Sequence, residues 1–305
     1  MNIPGLYVSG PSRSGTTLLA AVLDAHPRVH MGYELIPPPG LEVARLADQV
    51  ESLAGQGARW PRAIGNRVRD RTTAEIGQFV KRTARAGAGA DSLVAALRRF
   101  AAEVAEVTTK MDDRVALARA IVLAHAPPGT TWAGFKAGGS QLRAALALAP
   151  GSRAVGIVRD PRDLAASQIE SGMAPDAATV AERWDAHLRE LDAFDHTALV
   201  QIRYEDLVAT PAAVIDRLCA GLGIEADGAM LRFQEADVGV LTEGQTHAND
   251  AALRRGFFSD SVGRWRGQLG RPATAEVEAR CAERMAELGY ALSSTASSGA
   301  AAAGS

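Results

Sequence analysis

Apolar and polar positions near the start of the chain follow the order of a strand and then a helix. The run GLYVSG (5–10) is short, apolar and closed by glycine, which is typical of a buried parallel strand. Leu18, Leu19 and Val22 then recur at the spacing of one helical face. Pro27 predicts the end of this helix, because the residue before a proline avoids the helical conformation. The pattern predicts a strand, a glycine-containing loop and a helix.

Apolar positions with helical spacing dominate from Leu41 to about Ala126, with glycine-rich breaks and without a recognisable strand. We call residues 41–126 the cap, because we expect them to form a helical insertion that shapes an acceptor pocket. After the cap, strand patterns alternate with helical ones. The predicted strands lie within TTWAGFKAG (130–138), RAVGIVRD (153–160) and HTALVQIRYEDL (196–207).

Strands that alternate with helices predict a parallel sheet with right-handed crossover connections. We therefore expect an α/β fold of three layers, P-loop-like, with a central parallel sheet and the inserted helical cap. The 305 residues fit one domain over 1–292 with a large insertion. The low-complexity end, 293–305, is predicted to be a flexible tail.

The amino-acid composition limits the kinds of partner that we expect the protein to bind and the compartment in which we expect it to work. The net charge of -2 and the pI near 6.3 argue against general binding to nucleic acid or to an anionic membrane. No apolar run approaches the roughly 18 residues of a membrane span, and the first residues lack the features of a secretory signal. Cys219 and Cys281 are too few for a disulfide scaffold or a zinc cluster. We expect a cytoplasmic protein, and the oligomeric state stays open.

The loop SGPSRSGTT (9–17) resembles part of a phosphate-binding P-loop, which needs Gly, four residues, Gly, Lys, and Ser or Thr. Gly10, Gly15 and Thr17 occupy those places, but Thr16 replaces the lysine. Backbone N–H groups at a helix N-terminus can still hold an anion. With Arg13 inside the loop and no lysine for a γ-phosphate, the pattern favours a short 5′ anion such as a phosphosulfate. We expect no metal.

The segment IVRDPRDLAAS (157–167) is the second candidate site. Arg159 ends an apolar strand pattern, and Ser167 follows eight residues later, about two helical turns on. Ligands bind at the carboxyl ends of parallel strands, which makes Arg159 a candidate anion ligand. A group of helix-capping salt bridges among the four charged residues of 159–163 is the alternative interpretation.

Four ordered motifs together resemble the sulfotransferase family, which transfers a sulfuryl group from 3′-phosphoadenosine 5′-phosphosulfate (PAPS) to a hydroxyl or amine. They are RSGTT (13–17), the Arg159 to Ser167 spacing, RYEDLVATP followed by LGI (203–211, 222–224), and RRGFFSDSVGRWRGQL (254–269). The resemblance extends from about Leu6 to Tyr290, with the cap poorly matched. It implies a PAPS-dependent enzyme that releases 3′-phosphoadenosine 5′-phosphate (PAP).

The resemblance also implies a binding role for residues in each motif. The 5′-phosphosulfate would be held by Arg13, Ser14, Gly15, Thr16 and Thr17. The 3′-phosphate would be held by Arg159 and Ser167, with Arg255, Gly256 and as a further candidate Arg254 closing over it. Tyr204 lies where the family contacts adenine, although core packing is the alternative interpretation.

Glu34 is the candidate base. The stretch LDAHPRVHMGYELIPPPG (23–40) resembles tyrosylprotein and related bacterial sulfotransferases, and Glu34, 21 residues after Arg13, matches their catalytic carboxylate. A carboxylate is a weak base toward a phenol, so dehydration or late proton movement would have to assist it. His30 is the second candidate base. Lys136, at a predicted strand end, and Arg13 are the candidate stabilisers of developing charge.

Two other functions stay open on the sequence. A small-molecule kinase would need the missing lysine and magnesium, so insensitivity to EDTA would count against it. A non-catalytic PAP-binding protein would bind nucleotide without forming product. The expected acceptor is a small molecule or peptide with a phenol, tyrosine or sugar hydroxyl, by analogy alone. The cap has 14 Lys and Arg against 10 Asp and Glu, a charge of +4, which would suit an acidic acceptor.

Overall fold

A parallel sheet forms the core of the computed structural model, which describes residues 3–195, 197–241 and 250–293. The strands in these residues are β1 (Gly5–Ser9), β2 (Val29–Gly32), β3 (Leu41–Glu42), β4 (Val107–Thr108), β5 (Trp132–Lys136), β6 (Arg153–Val158) and β7 (Leu199–Arg203). Five of them form the sheet, in the order β2-β5-β1-β6-β7 with every pair parallel. All five strands therefore end at the same edge.

Helices connect the strands and cover the sheet. Those in the described residues are α1 (Thr16–Asp24), α2 (Val43–Gly55), α3 (Arg62–Arg71), α4 (Ala74–Thr83), α5 (Ala90–Glu103), α6 (Met111–His125), α7 (Ser140–Leu148), α8 (Pro161–Glu170), α9 (Ala177–Asp192), α10 (Tyr204–Ala209), α11 (Pro211–Leu222), α12 (Gly228–Leu231), α13 (Asp250–Arg254), α14 (Trp265–Gln268) and α15 (Arg271–Glu287). Short 3₁₀ turns cover Ala84–Ala86 and Phe233–Glu235. None of the helices in this part of the chain is long and apolar enough to cross a membrane.

Successive side chains along each strand point to opposite faces of the sheet, so the hydrophobic core has one part on each face. Tyr7 and Phe135 point to the face covered by α6 and α7, and their rings pack edge to face with centres 5.1 Å apart. Val8 and Ile157 point to the opposite face, which packs against α1 and the helices after β7. Helices on both faces of a parallel sheet confirm the predicted three-layer α/β fold.

The cap contains helices α2 to α6, and it also contains strands β3 and β4. These two strands pair antiparallel with Leu41 opposite Thr108, and the Gly40 N–H donates to the Thr108 carbonyl at 2.8 Å. The prediction of a cap without strands was therefore wrong. Two residues per strand are too few to produce a recognisable alternation of apolar and polar positions.

The edge strand β2 and the helix α3 were not predicted from the sequence either. β2 has four residues and includes glycine, so its pattern is short. α3 is rich in arginine and buries only Ile64, Gly65 and Val68, which leaves a weak helical periodicity. Of the predicted tail, Ser293 donates its N–H to Glu278 Oε1 at 2.9 Å, and the remaining residues lie outside the described ranges.

Trp184 links the helices beside β6 to the edge of the sheet. Its side chain is fully buried in a third cluster formed by α8, α9 and α15. The indole Nε1 donates to the main-chain carbonyl of Arg159 at 3.0 Å, and this contact is buried. Trp184 thus holds the backbone at the carboxyl end of β6.

We expect Trp184→Phe to lower the free energy of unfolding by about 1–3 kcal/mol, because the buried carbonyl of Arg159 loses its donor and the smaller ring leaves a cavity. Urea denaturation measures the change. Leu148→Ala, at an exposed position of α7, is the control and should change it by less than about 0.5 kcal/mol. Equal effects of the two substitutions would contradict this role of Trp184.

Candidate functional site

The carboxyl ends of the five parallel strands bring the candidate residues together. β1 leads into the loop 10–15, β2 is followed by Glu34, β5 ends at Lys136, β6 is followed by Arg159, and β7 is followed by Tyr204. Because the strands run in the same direction, residues far apart in the sequence meet at one edge of the sheet.

A cleft of about 890 Å³ lies at this edge. Most of the residues that the sequence predicts for catalysis or nucleotide binding line it, the exceptions being Ser14 and the further candidates Arg254 and His30. The predicted residues in the lining are Arg13, Gly15, Thr16, Thr17, Glu34, Lys136, Arg159, Ser167, Tyr204, Arg255 and Gly256. The Ser14 side chain is fully buried, and its N–H donates to the Pro11 carbonyl at 3.1 Å.

The loop before α1 has the backbone of an anion-binding turn. Gly15 has a φ of 98° and caps α1, which begins at Thr16. A β-carbon at Gly15 would lie 2.5 Å from the Tyr204 ring, so the loop passes directly against that ring. The free N–H groups at the start of a helix carry partial positive charge. The loop can therefore hold an anion without a P-loop lysine.

Two hydrogen bonds join this loop to the Arg159 segment. Arg13 Nε donates to Ser167 Oγ at 3.1 Å, and Arg159 Nη1 donates to the Arg13 carbonyl at 2.9 Å. The Arg159 guanidinium also lies 4.6 Å from the centre of the Tyr204 ring, within the range of a cation-π interaction. The two predicted nucleotide-binding stretches therefore form one continuous wall of the cleft.

The other charged residues beside Arg159 stabilise the fold. Asp160 caps α8 by accepting the Arg162 N–H at 2.9 Å, and its carboxylate pairs with the Arg162 guanidinium at 2.7 Å. Asp163 accepts the N–H groups of Gly263 at 2.7 Å and Trp265 at 3.0 Å. Burial raises the pKa of Asp163, and these two donors oppose the rise. The salt-bridge interpretation thus holds for Asp160 and Arg162, neither of which lines the cleft.

Residues 255–264, between α13 and α14, form a segment that we call the late loop. It contacts the Tyr204 end of the cleft through Ser261. Arg255 pairs with Asp260 at 2.5 Å, and its guanidinium lies 4.1 Å from the centre of the Phe258 ring. Arg254 instead donates to the Leu241 carbonyl at 2.9 Å and does not line the cleft. Of the two arginines, Arg255 is therefore the one in position to meet a ligand.

Several residues that line the cleft were not predicted from the sequence. Ser261 and Arg264 belong to the late loop, and the motif at 254–269 contains the signal that could have singled them out. Ser261 Oγ and Tyr204 Oη lie 2.7 Å apart. Arg82 and Arg85 come from the cap, where no pattern distinguishes them from the other arginines.

Glu34 lies among three cations. Lys136 Nζ donates to Glu34 Oε1 at 3.3 Å and to Thr17 Oγ1 at 2.8 Å. On the other carboxylate oxygen, Oε2, Arg82 Nη2 lies at 3.5 Å and Arg85 Nη1 at 3.9 Å. Burial lowers the pKa of Lys136, Glu34 opposes this change, and the two arginines add to it. Lys136 brings an ammonium group to the start of α1, where the loop itself has no lysine.

Unusual backbone conformations occur at two of the candidate catalytic residues. Arg13 has a φ of 73° and Glu34 a φ of 53°, and among the described residues no other non-glycine residue has a positive φ. Such conformations cost roughly 1–3 kcal/mol and persist where the surrounding structure holds them. They cluster at functional sites, so their occurrence in this cleft supports a functional role for Arg13 and Glu34.

Comparison with known proteins decides the family. The model of the sulfotransferase family matches residues 4–228, which is more than half of the chain. The chain belongs to the sulfotransferase family. This match confirms the prediction of a sulfotransferase from the four motifs. Among curated protein sequences, no match was found.

Solved sulfotransferase structures share the fold of this sulfotransferase. The sulfotransferase domain from the Synechococcus PCC 7002 olefin synthase has a TM-score of 0.57 at 19% identity, over 90% of this chain and 94% of that chain. The sulfotransferase domain from the curacin biosynthetic pathway gives 0.57 at 17%, over 96% and 100%. Mouse sulfotransferase SULT7A1 complexed with PAP gives 0.50 at 12%, over 98% and 90%. At these identities the likeness establishes the fold alone.

His30 of this sulfotransferase lies outside the cleft. Its Nε2 lies 3.2 Å from the Ala86 carbonyl, and its Nδ1 lies 3.9 Å from Asp24 Oδ1. Burial lowers the pKa of His30. Of the two candidate bases, Glu34 is therefore the one that lines the cleft.

The two cysteines of this sulfotransferase and its acidic residues form no metal-binding group in the described part of the chain. Cys219 and Cys281 are buried thiols, and burial raises their pKa to about 11 and about 12. Within residues 3–195, 197–241 and 250–293, no group of three or more His, Cys, Asp and Glu side chains has the arrangement of a metal site.

Asp24 supports the β2 end of the cleft from the interior. Its Oδ1 accepts the Met31 N–H at 2.7 Å, and its Oδ2 accepts the Gly239 N–H at 3.0 Å and the Tyr33 hydroxyl at 3.1 Å. Burial raises the pKa of Asp24 to about 7, and the three donors oppose the rise. Because Tyr33 directly precedes Glu34, this carboxyl group anchors the segment that carries the candidate base.

We expect the stability of this sulfotransferase to carry a pH dependence from Asp24. Its pKa rises on folding from 3.8 to about 7, so its contribution is fully present below pH 3.8 and is lost as the pH rises toward 7. Asp24→Asn removes this titration. We subtract the free energy of unfolding of the variant from that of the native protein, and we expect this difference to fall by about 1–3 kcal/mol between pH 5 and pH 8. Urea denaturation at each pH measures both values. If the two free energies change with pH in the same way, the assignment to Asp24 is contradicted.

Proposed function

We propose that this sulfotransferase moves the sulfuryl group of PAPS to a hydroxyl acceptor, a phenol, tyrosine or sugar, and releases PAP. Two hydrogen bonds carry this proposal, because they join the loop 10–15 to the segment that follows β6. Arg13 Nε donates to Ser167 Oγ at 3.1 Å, and Arg159 Nη1 donates to the Arg13 carbonyl at 2.9 Å. The loop before α1 and the segment from Arg159 to Ser167 therefore lie in one cleft. PAPS requires this arrangement, because it has a phosphosulfate at its 5′ end and a phosphate at its 3′ position. A sulfotransferase of the same fold, the mouse enzyme, is described in complex with PAP.

The residues present fit a nucleotide of high negative charge. Arg159 is 5% exposed, and its Nε has no hydrogen-bond partner among the described residues, which leaves a buried donor for an anion. Arg159 Nη1 donates to the Arg13 carbonyl, and Arg13 Nε donates to Ser167 Oγ, so these three residues are connected. We assign the 3′-phosphate to Arg159 and Ser167 and the ring contact with adenine to Tyr204. Arg255 and Gly256 would close over the nucleotide.

The 5′-phosphosulfate would be held by the loop at the start of α1, through the N–H groups of 15–17 and the side chains of Arg13, Thr16 and Thr17. Ser14 would shape the loop from inside, because its side chain is fully buried and its N–H donates to the Pro11 carbonyl. The partial charge of the helix N-terminus acts on the same anion. PAPS supplies the activated sulfuryl group, and the protein supplies position and charge.

Glu34 acts as the base in this proposal. It accepts the proton of the acceptor hydroxyl while the acceptor oxygen bonds to sulfur and the S–O bond to the 5′-phosphate breaks, with the electron pair leaving on PAP. Lys136, between Thr17 and Glu34 at 2.8 Å and 3.3 Å, is placed to stabilise the charge that develops on the leaving oxygen. Arg13 contributes the second positive charge. The spacing of 21 residues between Arg13 and Glu34 supports a place for the enzyme in the branch of the family that resembles tyrosylprotein sulfotransferases.

We further propose that the enzyme works in a reducing compartment such as the cytoplasm, in keeping with its two free thiols. A small-molecule kinase and a non-catalytic PAP-binding protein are the alternatives. Membership of the sulfotransferase family favours sulfuryl transfer over both. The test is to incubate the protein with labelled PAPS and host extract in the presence of EDTA. A sulfotransferase should form labelled product under these conditions, whereas a kinase requires magnesium and a non-catalytic protein forms no labelled product.

We expect Glu34→Gln to lower kcat by about 100-fold or more, because the proton loses its acceptor, and to leave the Kd of PAP within about threefold. Labelled product formation and calorimetric titration with PAP measure the two quantities. Glu42→Gln, an exposed carboxylate of the cap paired with Arg45, is the matched control and should change neither. Equal losses of turnover and of PAP affinity would refute the assignment of Glu34 as the base.

We expect Arg159→Ala to weaken PAP binding by about 10- to 100-fold, because a charge-assisted contact to the 3′-phosphate is lost. Binding of adenosine 5′-phosphosulfate, which lacks that phosphate, should weaken clearly less, because it loses only the support that Arg159 gives the loop through the Arg13 carbonyl. Titration calorimetry with both nucleotides measures the difference. Arg153→Ala, at the amino end of the same strand, is the control. An equal loss for both nucleotides would argue that Arg159 supports the fold and does not bind the 3′-phosphate.

A further inference from the structure

Gln168 is a buried polar side chain that connects α8 with the loop before α1. It follows Ser167 directly and is 3% exposed. Its Nε2 donates to the Ser12 carbonyl at 2.8 Å, across 156 positions of the sequence. Gln168 is not among the described residues that line the cleft. Its effect on a bound nucleotide must therefore pass through the loop.

The main chain of Gln168 is itself held in place. Its carbonyl accepts the N–H groups of Met173 at 2.8 Å and Ala174 at 3.2 Å, and it accepts the Ser171 hydroxyl at 3.2 Å. A side chain that is already buried on a fixed backbone loses little further conformational entropy when it forms a hydrogen bond. Gln168 therefore gives the loop a rigid support.

Two hydrogen bonds define the backbone conformation of Arg13, whose φ is 73°. Gln168 holds the carbonyl of the peptide unit before Arg13, and Arg159 Nη1 holds the carbonyl of the peptide unit after it at 2.9 Å. The φ and ψ angles of Arg13 are the rotations that relate these two planar units. Fixing both planes therefore maintains a conformation that is unfavourable on its own.

The direction of the Ser12 carbonyl matters for an anion. Ser12 lines the cleft and also a smaller cavity of about 300 Å³, and Gln168 lines that second cavity. The peptide bond between Ser12 and Arg13 is trans, so its carbonyl and its N–H point in opposite directions. A rotation of this peptide unit would carry the partial negative charge of the oxygen to the side that the N–H now faces. There the oxygen would repel an anion held by the loop.

We propose that Gln168 is a positioning residue for the 5′-phosphosulfate of PAPS. It turns the Ser12 carbonyl away from the anion and keeps the Arg13 backbone in the conformation that the loop needs. This inference rests on the proposed function, because it requires the loop at the start of α1 to hold the 5′ anion. Two consecutive residues of α8 then serve opposite ends of the nucleotide, Ser167 the 3′-phosphate and Gln168 the 5′ anion.

The test compares PAP with adenosine 3′-monophosphate, which keeps the 3′-phosphate and lacks the 5′ anion. Gln168→Met preserves the length of the side chain and removes the N–H donor. We expect it to weaken PAP binding by about three- to tenfold, because one hydrogen bond is lost, and to weaken binding of adenosine 3′-monophosphate clearly less. Calorimetric titration with both nucleotides measures the difference. Gln56→Met, at an exposed position where the amide donates to Ser52, is the matched control and should change neither affinity.

A second measurement uses the native protein, so it gives a result even if Gln168→Met fails to fold. If the Gln168 hydrogen bond favours binding of the 5′ anion, binding of that anion must stabilise the hydrogen bond by the same free energy. We expect bound PAP to slow the exchange of the Gln168 side-chain amide protons with water by about three- to tenfold relative to bound adenosine 3′-monophosphate. NMR of the two complexes measures the exchange rates.

The outcomes separate this inference from the proposed function. Equal losses of affinity for the two nucleotides in Gln168→Met would overturn the positioning role, because they would show that Gln168 supports the fold as a whole. No loss for either nucleotide, or equal exchange rates in the two complexes of the native protein, would overturn it as well. Failure of the native protein to bind PAP would instead refute the proposed function itself.

Discussion

The hydrogen bond from the Arg159 guanidinium to the Arg13 carbonyl, 2.9 Å long, joins the two halves of the site. Around it, the main chain of Arg159 is held by the indole of Trp184, and the Arg159 side chain also donates to the Ser261 carbonyl. The loop after β1, the end of β6 and the late loop therefore depend on one buried arginine. A buried guanidinium can hold several segments because it has five donors in a rigid plane.

The charges of the cleft contrast with those of the whole chain. The protein has a net charge of -2, yet seven of the described residues lining the cleft are arginine or lysine and one is a carboxylate. A local excess of positive charge in a cleft concentrates the field on an anion without making the protein a general binder of anions. That carboxylate, Glu34, occupies a backbone conformation with a φ of 53° that the surrounding contacts maintain.

Much of the fold was accessible from local pattern. The order of strand, loop and helix around 5–24 was predicted from apolar spacing, and so were the three later strands of the sheet. The edge strand β2, with four residues, and the pairing of β3 with β4, with two residues each, were missed. Short elements depend on tertiary pairing for their formation, so their own sequence carries little periodicity.

By itself, the sequence determined the residue types and the chain positions of the loop at 9–17, Arg159, Ser167 and Glu34, because motif spacing is a property of the chain. The tertiary structure decided which side chains enter the cleft. It places Arg159, Arg255 and Glu34, the first choices from the sequence, in the lining and leaves Arg254 and His30 outside, and it alone brought Arg82 and Arg85 there from the cap. The physical reason is that the direction of a side chain depends on helix capping, burial and contacts between distant segments, which local sequence does not encode.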